Sequence, residues 1–464
     1  MNKYQSTIQQ PAEVSGVGLH TGQEASLTFK PAPADHGIKF KRVDLEEQPI
    51  IDADVDNVVD VSRGTMLGKD NVQVGTVEHV MAAIAGLQLD NILVELDAPE
   101  TPIKDGSSDP FVEALQNAGI QFQDKERKYF EVPRNIHYGE QEREVEMIAM
   151  PLDGYRATVM VDYNSPVLGS QHASISNITE FPTEIASSRT FCFLHELEEL
   201  LKHNLIKGGN LSNAIVIVDK EVNEAQLEEL SLAFDKPGIQ VKEKGILNNL
   251  ELRHQNEPAR HKLLDLIGDL ALIGVPLKAQ VMAARPGHAA NIEFAKKIKR
   301  VMHKSKRENI APQNDPNKKP VYNSREIEQI LPHSHPFIFV DKIIELSNNS
   351  IVGVKNVTVD EAFFRGHFPD NPVMPGVIQI ESMAQVGGVL ILSNMEEPDK
   401  YDTYFMKIEN AKFKERVVPG DTLIISMETT EPMKRGICKM KGKAFVGDKM
   451  VAEAELMAQI IKKQ

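Results

Sequence analysis

HFPDNPVMPGVIQIESMAQVGG, residues 367–388, decides the reading of the last third of the chain. The Pro375-Gly376 turn opens a run that stays apolar around its circumference, so a buried helix is expected from about Gly376 to Ser393. Strand candidates follow at Thr422–Met427, Ile437–Val446 and Met450–Ile460. One helix wrapped by a sheet is the simplest packing of these parts. The same stretch carries chemistry. Unpaired N–H groups at the helix start, Gly376 among them, present the positive end of the helix dipole and can polarise a carbonyl. Glu381 lies one to two turns in, and burial among apolar side chains favours the neutral, proton-donating form of a carboxyl group. His367 supplies an imidazole base. A satisfied core histidine and a solvent-facing glutamate fit the same letters.

Upstream, HKSKRENIAPQNDPNKKPVYNSR, from His303 to Arg325, is polar and has no apolar periodicity. It reads as an interdomain linker, set at 305–322, with a C-terminal domain at 323–464. Before it, strands expected at Ala25–Phe29, Asn91–Leu96, Thr158–Val161 and Ala214–Val218 alternate with helices at Val77–Gly86, Asp109–Ala118, Leu194–His203, Ala259–Leu272 and Ala290–His303. A break at Gln121–Tyr129 divides this α+β region into 1–125 and 126–304, similar in length and element order, which points to a duplicated architecture.

With 464 residues, 41% of them hydrophobic, the chain can bury several cores. A formal net charge of -15 argues against a nucleic-acid partner, which needs a basic surface. Cys192 and Cys438 are too few for a disulfide framework or a thiolate zinc cluster, so any metal must be held by histidine and carboxylate. Met1 to Ser6 shows no export signal. Leu263–Pro276 is interrupted by Asp265 and Asp269 and is too short for a transmembrane segment. A soluble, cytoplasmic protein is expected.

In RHKLLDLIGDLALIG, His261 and Asp265 stand four apart on an expected helix, so both leave one face a turn apart. A third ligand is available in GTVEHVMAAIAGL, where His79 sits on a helix that Thr76 can cap. Three protein ligands leave a tetrahedral position open, the arrangement of a catalytic zinc site, and Glu78 stands beside it as a candidate general base. RPGHAAN, Arg285–Asn291, adds His288 at a helix start, where a cation can face a developing oxyanion. Taken alone, the His261/Asp265 pair also fits a solvated polar face.

From about Gln5 to Lys304 the chain resembles the zinc-dependent UDP-3-O-acyl-N-acetylglucosamine deacetylases of lipid A biosynthesis. The motifs are GVGLHTG (Gly16–Gly22), GTVEHVMAA (Gly75–Ala83), DGSS (Asp105–Ser108), SRTF (Ser188–Phe191), GGN (Gly208–Asn210), RHKLLDLIGDL (Arg260–Leu270) and Gly287-His288. The resemblance implies a duplicated two-layer α/β sandwich, Zn2+ held by His79, His261 and Asp265, and Glu78 as base. It also implies that Thr190 and His288 stabilise the oxyanion, that Asp269 orients and charges His288, and that Lys262, His20 and Phe191 face the substrate, a UDP-linked acylated N-acetylglucosamine. An insert near 191–218 is expected to form an acyl passage lined by Leu197, Leu200, Leu201 and Ile206. Ser165 stands where the family leads one to expect histidine.

From about Asn323 to Lys463 the chain resembles the (3R)-hydroxyacyl-acyl-carrier-protein dehydratases of hot-dog fold, an antiparallel sheet around a central helix. The motifs are ILPHSHPFIFVDKI (Ile330–Ile343), FFRGHFPDNPVMPGV (Phe363–Val377), IESMAQ (Ile380–Gln385) and FKERVVPGD (Phe413–Asp421). The resemblance implies that His367 removes the C2 proton, Glu381 protonates the leaving 3-hydroxyl and the Gly376 N–H holds the thioester carbonyl, without a cofactor. It also implies that His367 and Glu381 meet across neighbouring subunits, in a dimer or a hexamer of dimers. Ser334-His335 departs from the family pattern, and His333 and His335 are read as structural. Lys407, Lys412, Lys414 and Arg416 form a basic group that suits acidic acyl carrier protein or, equally, solvated strand ends. Two other readings stay open: another zinc amidase joined to a hot-dog thioesterase, and a C-terminal acyl-carrier-binding scaffold without catalysis.

Overall fold

The computed structural model describes residues 2–163, 165, 167–195, 213–220, 222, 228, 231, 239–242, 245–247, 250–308 and 311–463. They fall into two compact units, Met1–Lys304 and Ser305–Gln464.

The first unit is built twice on one plan. Its N-terminal half contains β1 (Ala12–Val17), β2 (Glu24–Pro31), β3 (Ile38–Arg42), β4 (Ile50–Asp52), helix α1 (Glu78–Gly86), β5 (Ile92–Leu96) and α2 (Asp109–Asn117). Its second half contains β6 (Ile136–Glu140), β7 (Val145–Pro151), β8 (Tyr155–Asp162), β9 (Ser170–Ile175), α3 (Glu257–Ala271), β10 (Leu277–Ala284) and α4 (His288–Glu308). Each half lays its five strands side by side in the order first, second, fifth, third, fourth, and the two-residue strand Phe130–Glu131 joins the second sheet beside β10. The fifth strand is antiparallel to the second and parallel to the third in both sheets. Alternation writes these strands: Ala25, Leu27 and Phe29 are buried along β2, and Ala157, Val159 and Val161 along β8. A single apolar core takes Phe29 and Val94 from one sheet, Val159 and Val281 from the other, and Val80, Ile84, Leu263 and Leu266 from α1 and α3.

Three local expectations are corrected. The polar run read as a break is largely a strand, Ile120–Glu126, paired antiparallel with Tyr4–Ile8; its exposure hides the pattern. Thr76 does not cap α1: its backbone is left-handed (φ 56°), and its hydroxyl donates to Glu100 at 2.7 Å. The opening residues of the expected linker continue α4 as far as Glu308, because His303–Glu308 contains no helix breaker. The helix expected at Leu194–His203 lies mostly outside the described residues, as do Leu197, Leu200, Leu201, Ile206 and the Gly208–Asn210 motif.

The second unit opens with α5 (Ser324–Ile330), set by a capping box between Asn323 and Glu326. Strands β11 (Lys342–Leu346) and β12 (Ser350–Asn356) precede the central helix α6 (Gly376–Leu392). After it come β13 (Tyr401–Phe413), β14 (Thr422–Thr429), β15 (Ile437–Val446) and β16 (Lys449–Lys462). All six strands form one antiparallel sheet in the order β11-β12-β14-β15-β16-β13. Met383, Val386, Val389 and Leu390 of α6 are buried in the core that the sheet closes around. Strand β13 is an edge, and Tyr404, Phe405, Met406, Ile408 and Phe413 stand exposed on it. No helix among the described residues is long and apolar enough to cross a membrane.

Candidate metal centre and acid–base sites

The equivalent helices of the two halves, α1 and α3, pack on each other and bring three side chains together. His79, His261 and Asp265 are buried, and one donor atom from each lies within 4.8 Å of the others. His261 Nε2 is 3.4 Å and His79 Nε2 3.9 Å from Asp265 Oδ1. The Ser188 carbonyl sits 3.0 Å from His261 Nδ1, which fixes the ring and leaves Nε2 for the cluster. Burial, reinforced by His261, pushes His79 down to about 3, and burial also lowers His261. Burial alone would raise Asp265, but His261, Lys262 and His288 outweigh it and hold the carboxyl well below its usual range. Two neutral imidazoles and an ionised carboxylate, with Asp265 Oδ1 buried and lacking a hydrogen-bond donor, fit a divalent cation such as zinc.

Acid–base groups face this cluster. Glu78 is 3% exposed, and burial pushes it up to about 7, against the pull of His288 and with Asp269 and Asp265 adding to the rise. His288 Nε2 lies 4.0 Å from Glu78 Oε1 and 3.8 Å from Asp265 Oδ2, and Nδ1 lies 3.0 Å from Asp269 Oδ2. Burial opposes the charge on His288, yet Asp269 and Asp265 outweigh it and carry the imidazole up to about 9. A carboxyl poised near neutrality thus stands beside a histidine held protonated. Lys262 donates to Asp265 Oδ2 at 2.8 Å and lies 5.6 Å over the Phe191 ring. Burial lowers Lys262, but Asp265 and its other acidic neighbours more than reverse this and hold it above its ordinary value.

The segment bearing Thr190 is pinned from both sides. Thr190 N–H donates to the Gly106 carbonyl at 2.8 Å, and Gly106 has a positive φ of 83° in a place where a β-carbon would meet the Asn213 carbonyl oxygen at 2.0 Å. The buried Glu257 carboxylate accepts Arg189 N, Arg189 Nε and Arg253 N at 3.0, 2.9 and 2.7 Å. Phe191 starts the short strand Phe191–Phe193, its ring 6.4 Å from His261 and 5.7 Å from Tyr163. His20 is not one of the cluster's ligands: its N–H donates to Glu100 at 3.0 Å, and burial lowers the imidazole. Ser165, where histidine was expected, is buried and accepts Val167 N at 3.3 Å as a turn cap.

Among the described residues of the second unit, no ion pair joins His367 to Glu381 within one chain. His367 Nδ1 is 2.8 Å from the Val373 carbonyl. Glu381 lines a separate cavity of about 60 Å³ with His333, Gln385 and Tyr404, and His367 is not in its wall. Gln385 donates to Glu381 Oε1 at 2.9 Å and to the Phe337 carbonyl at 3.0 Å, and accepts Phe339 N at 2.7 Å. The sequence signal for Gln385 was its i,i+4 spacing from Glu381. His333, read as structural, places Nε2 3.4 Å from Glu381 Oε1 and so belongs to the surroundings of Glu381. Gly376 opens α6 where a β-carbon would strike Phe413 at 2.7 Å. The basic group on and just after β13 is partly neutralised: Lys407 pairs with Glu409, and Lys412 and Lys414 with Glu453.

Comparison with known proteins agrees with this division. A family model of UDP-3-O-acyl N-acetylglycosamine deacetylase matches residues 5–231 and 235–300, and a FabA-like domain matches 331–455. A protein of Chlorobaculum tepidum named bifunctional enzyme LpxC/FabZ is 47% identical over 99% of both chains. The chain belongs to the bifunctional LpxC/FabZ family. The Bacteroides thetaiotaomicron enzyme of the same name is 46% identical over 99% of both chains. A Syntrophotalea carbinolica UDP-3-O-acyl-N-acetylglucosamine deacetylase is 38% identical over 64% of this chain and 87% of its own. This LpxC/FabZ chain therefore joins an amide hydrolase to a lyase of hot-dog fold.

Proposed function

We propose that the first unit hydrolyses the N-acetyl group of UDP-3-O-(3-hydroxyacyl)-N-acetylglucosamine, the committing step of lipid A biosynthesis, with zinc held by His79, His261 and Asp265. The observation that carries this reading is the meeting of α1, α3 and the start of α4, which joins the buried triad to Glu78 and His288. Bound zinc would supply a Lewis acid that polarises the amide carbonyl and acidifies water. Glu78 takes the proton from the attacking water as the C–O bond forms. His288, charged by Asp269, and the Thr190 hydroxyl face the oxyanion. The C–N bond then breaks, His288 or Glu78 protonates the amine, and acetate leaves. Lys262, Phe191 and His20 contact the substrate around this point, and the insert near 191–218 receives the acyl chain.

The second unit dehydrates (3R)-hydroxyacyl-acyl-carrier protein to the trans-2-enoyl form. His367 removes the C2 proton, the Gly376 N–H holds the thioester carbonyl, and Glu381 gives its proton to the departing hydroxyl, which leaves as water. Because His367 is not in the wall of the Glu381 cavity and forms no ion pair with Glu381 within one chain, a second copy completes the site in this reading, with the exposed apolar edge β13 as the surface for that pairing. Acyl carrier protein is the protein partner, the enzyme works in the cytoplasm, and the dehydratase needs no cofactor.

Chelation of the purified chain tests both halves. Acetate release should stop while enoyl absorbance continues to grow without release of free thiol. Persistent acetate release would overturn the metal reading, and thiol release without enoyl formation would favour the thioesterase alternative.

A further inference from the structure

One buried residue touches Glu78 and, through its hydroxyl, both Asp269 and His288, whose Nδ1 lies 3.4 Å away, and it has no role in the mechanism proposed for this unit. Thr65, wholly buried, gives its N–H to Glu78 Oε2 at 2.9 Å and its hydroxyl to Asp269 Oδ1 at 2.5 Å. Its carbonyl accepts Val77 N at 3.1 Å, tying the loop to the residue before α1. The other Asp269 oxygen accepts Asn291 Nδ2 at 2.9 Å and faces His288 Nδ1 at 3.0 Å. Next to Thr65, Gly64 leaves room for the base, because a β-carbon there would meet Glu78 Oε1 at 2.8 Å.

We infer that Thr65 is a positioning residue for deacetylation, a brace that sets Glu78 and the Asp269–His288 pair at their working separation. The backbone N–H holds the Glu78 oxygen that does not face His288, leaving Oε1 turned towards the imidazole at 4.0 Å. The hydroxyl occupies the Asp269 oxygen that His288 does not use, so the carboxylate cannot swing and the ring keeps its orientation. Both contacts issue from one residue, so one displacement would disturb base and acid together. The inference rests on the roles proposed above for Glu78 and His288.

The test uses the zinc-loaded full chain and three substitutions. Thr65→Val keeps the volume and loses the hydroxyl, Thr65→Ser keeps the hydroxyl and loses the methyl group, and Thr65→Ala loses both. A positioning role predicts kcat lower by about 10- to 100-fold in the Val and Ala variants, the scale of a small misplacement of reacting groups. KM should stay within about twofold, zinc content and melting temperature should match wild type in the Val variant, and Ser should restore kcat to within about threefold. A Val variant as fast as wild type, or a Ser variant as slow as Ala, would overturn the inference. Should Val fail to fold, the Ser and Ala pair still isolates the hydroxyl. Glu78→Gln runs in parallel: if it keeps the wild-type rate, the assignment of the base falls, whereas a slow Glu78→Gln beside a fast Thr65→Val removes only the brace.

Discussion

Gly268 lies against the backbone of Glu78: a β-carbon on Gly268 would stand 2.1 Å from the Glu78 carbonyl oxygen. The helices that carry His79, His261 and Asp265 therefore meet backbone against glycine here, and a side chain at Gly268 would clash. Gly268→Ala must push α1 from α3 and carry His79 away from His261 and Asp265. Zinc affinity is expected to fall at least tenfold, about the loss typical when a ligand's support is removed, with dehydration unchanged. Competition against a chromophoric chelator measures it, and an unaltered affinity would mean that the helices have slack.

Asp265→Ala removes the carboxylate that both imidazoles and Lys262 face. Metal analysis should find the zinc gone, deacetylation should vanish, and dehydration should persist. Loss of both activities would point to misfolding.

Glu257 links stability to acid. Burial alone would raise its carboxyl, but the donors of Arg189 and Arg253 outweigh it and hold the group below its ordinary 4.5. The unfolded chain therefore binds the proton first as pH falls: the stabilisation is present above 4.5 and disappears as pH drops through the folded value. Glu257→Gln should cost about 3 kcal/mol near pH 7, the scale of a broken buried pair, and should flatten the acid limb of the melting curve. Differential scanning calorimetry from pH 7 to 3 checks this, and an acid limb parallel to wild type would refute it.

On the edge strand β13, Ile408 is 48% exposed. Ile408→Lys should split the dimer proposed for this unit, because a charge on an unpaired edge opposes strand addition. Sedimentation should report smaller particles, with dehydration lost and deacetylation kept. A monomer that still dehydrates would show that one chain carries a complete site.

The legible parts of this chain were those with a local period. The i,i+4 pair His261 and Asp265 and the all-round apolar run from Gly376 follow from helical spacing, and the structure places both on helices. His79 needed a motif, since nothing local ties it to a helix far along the chain. The shared strand order of the two halves was invisible because topology is conserved in pairings rather than in letters. Strand β13 was missed because Tyr404-Phe405-Met406 sets large apolar side chains next to one another without alternation, and all three stand exposed in the single chain. Thr65 carries no signature, since its partner Asp269 is brought to it by the fold, and for Gln385 the i,i+4 spacing points to Glu381 but not to the backbone of Phe337 and Phe339.

The twofold plan of the first unit has a consequence for any severed form of it. A nick between the two sheets would leave Glu78 and His79 on one fragment and His261, Asp265 and His288 on the other. Neither fragment alone holds a full coordination set, so the ion would act as a rivet between them, and hydrolysis would return only when the pieces were mixed.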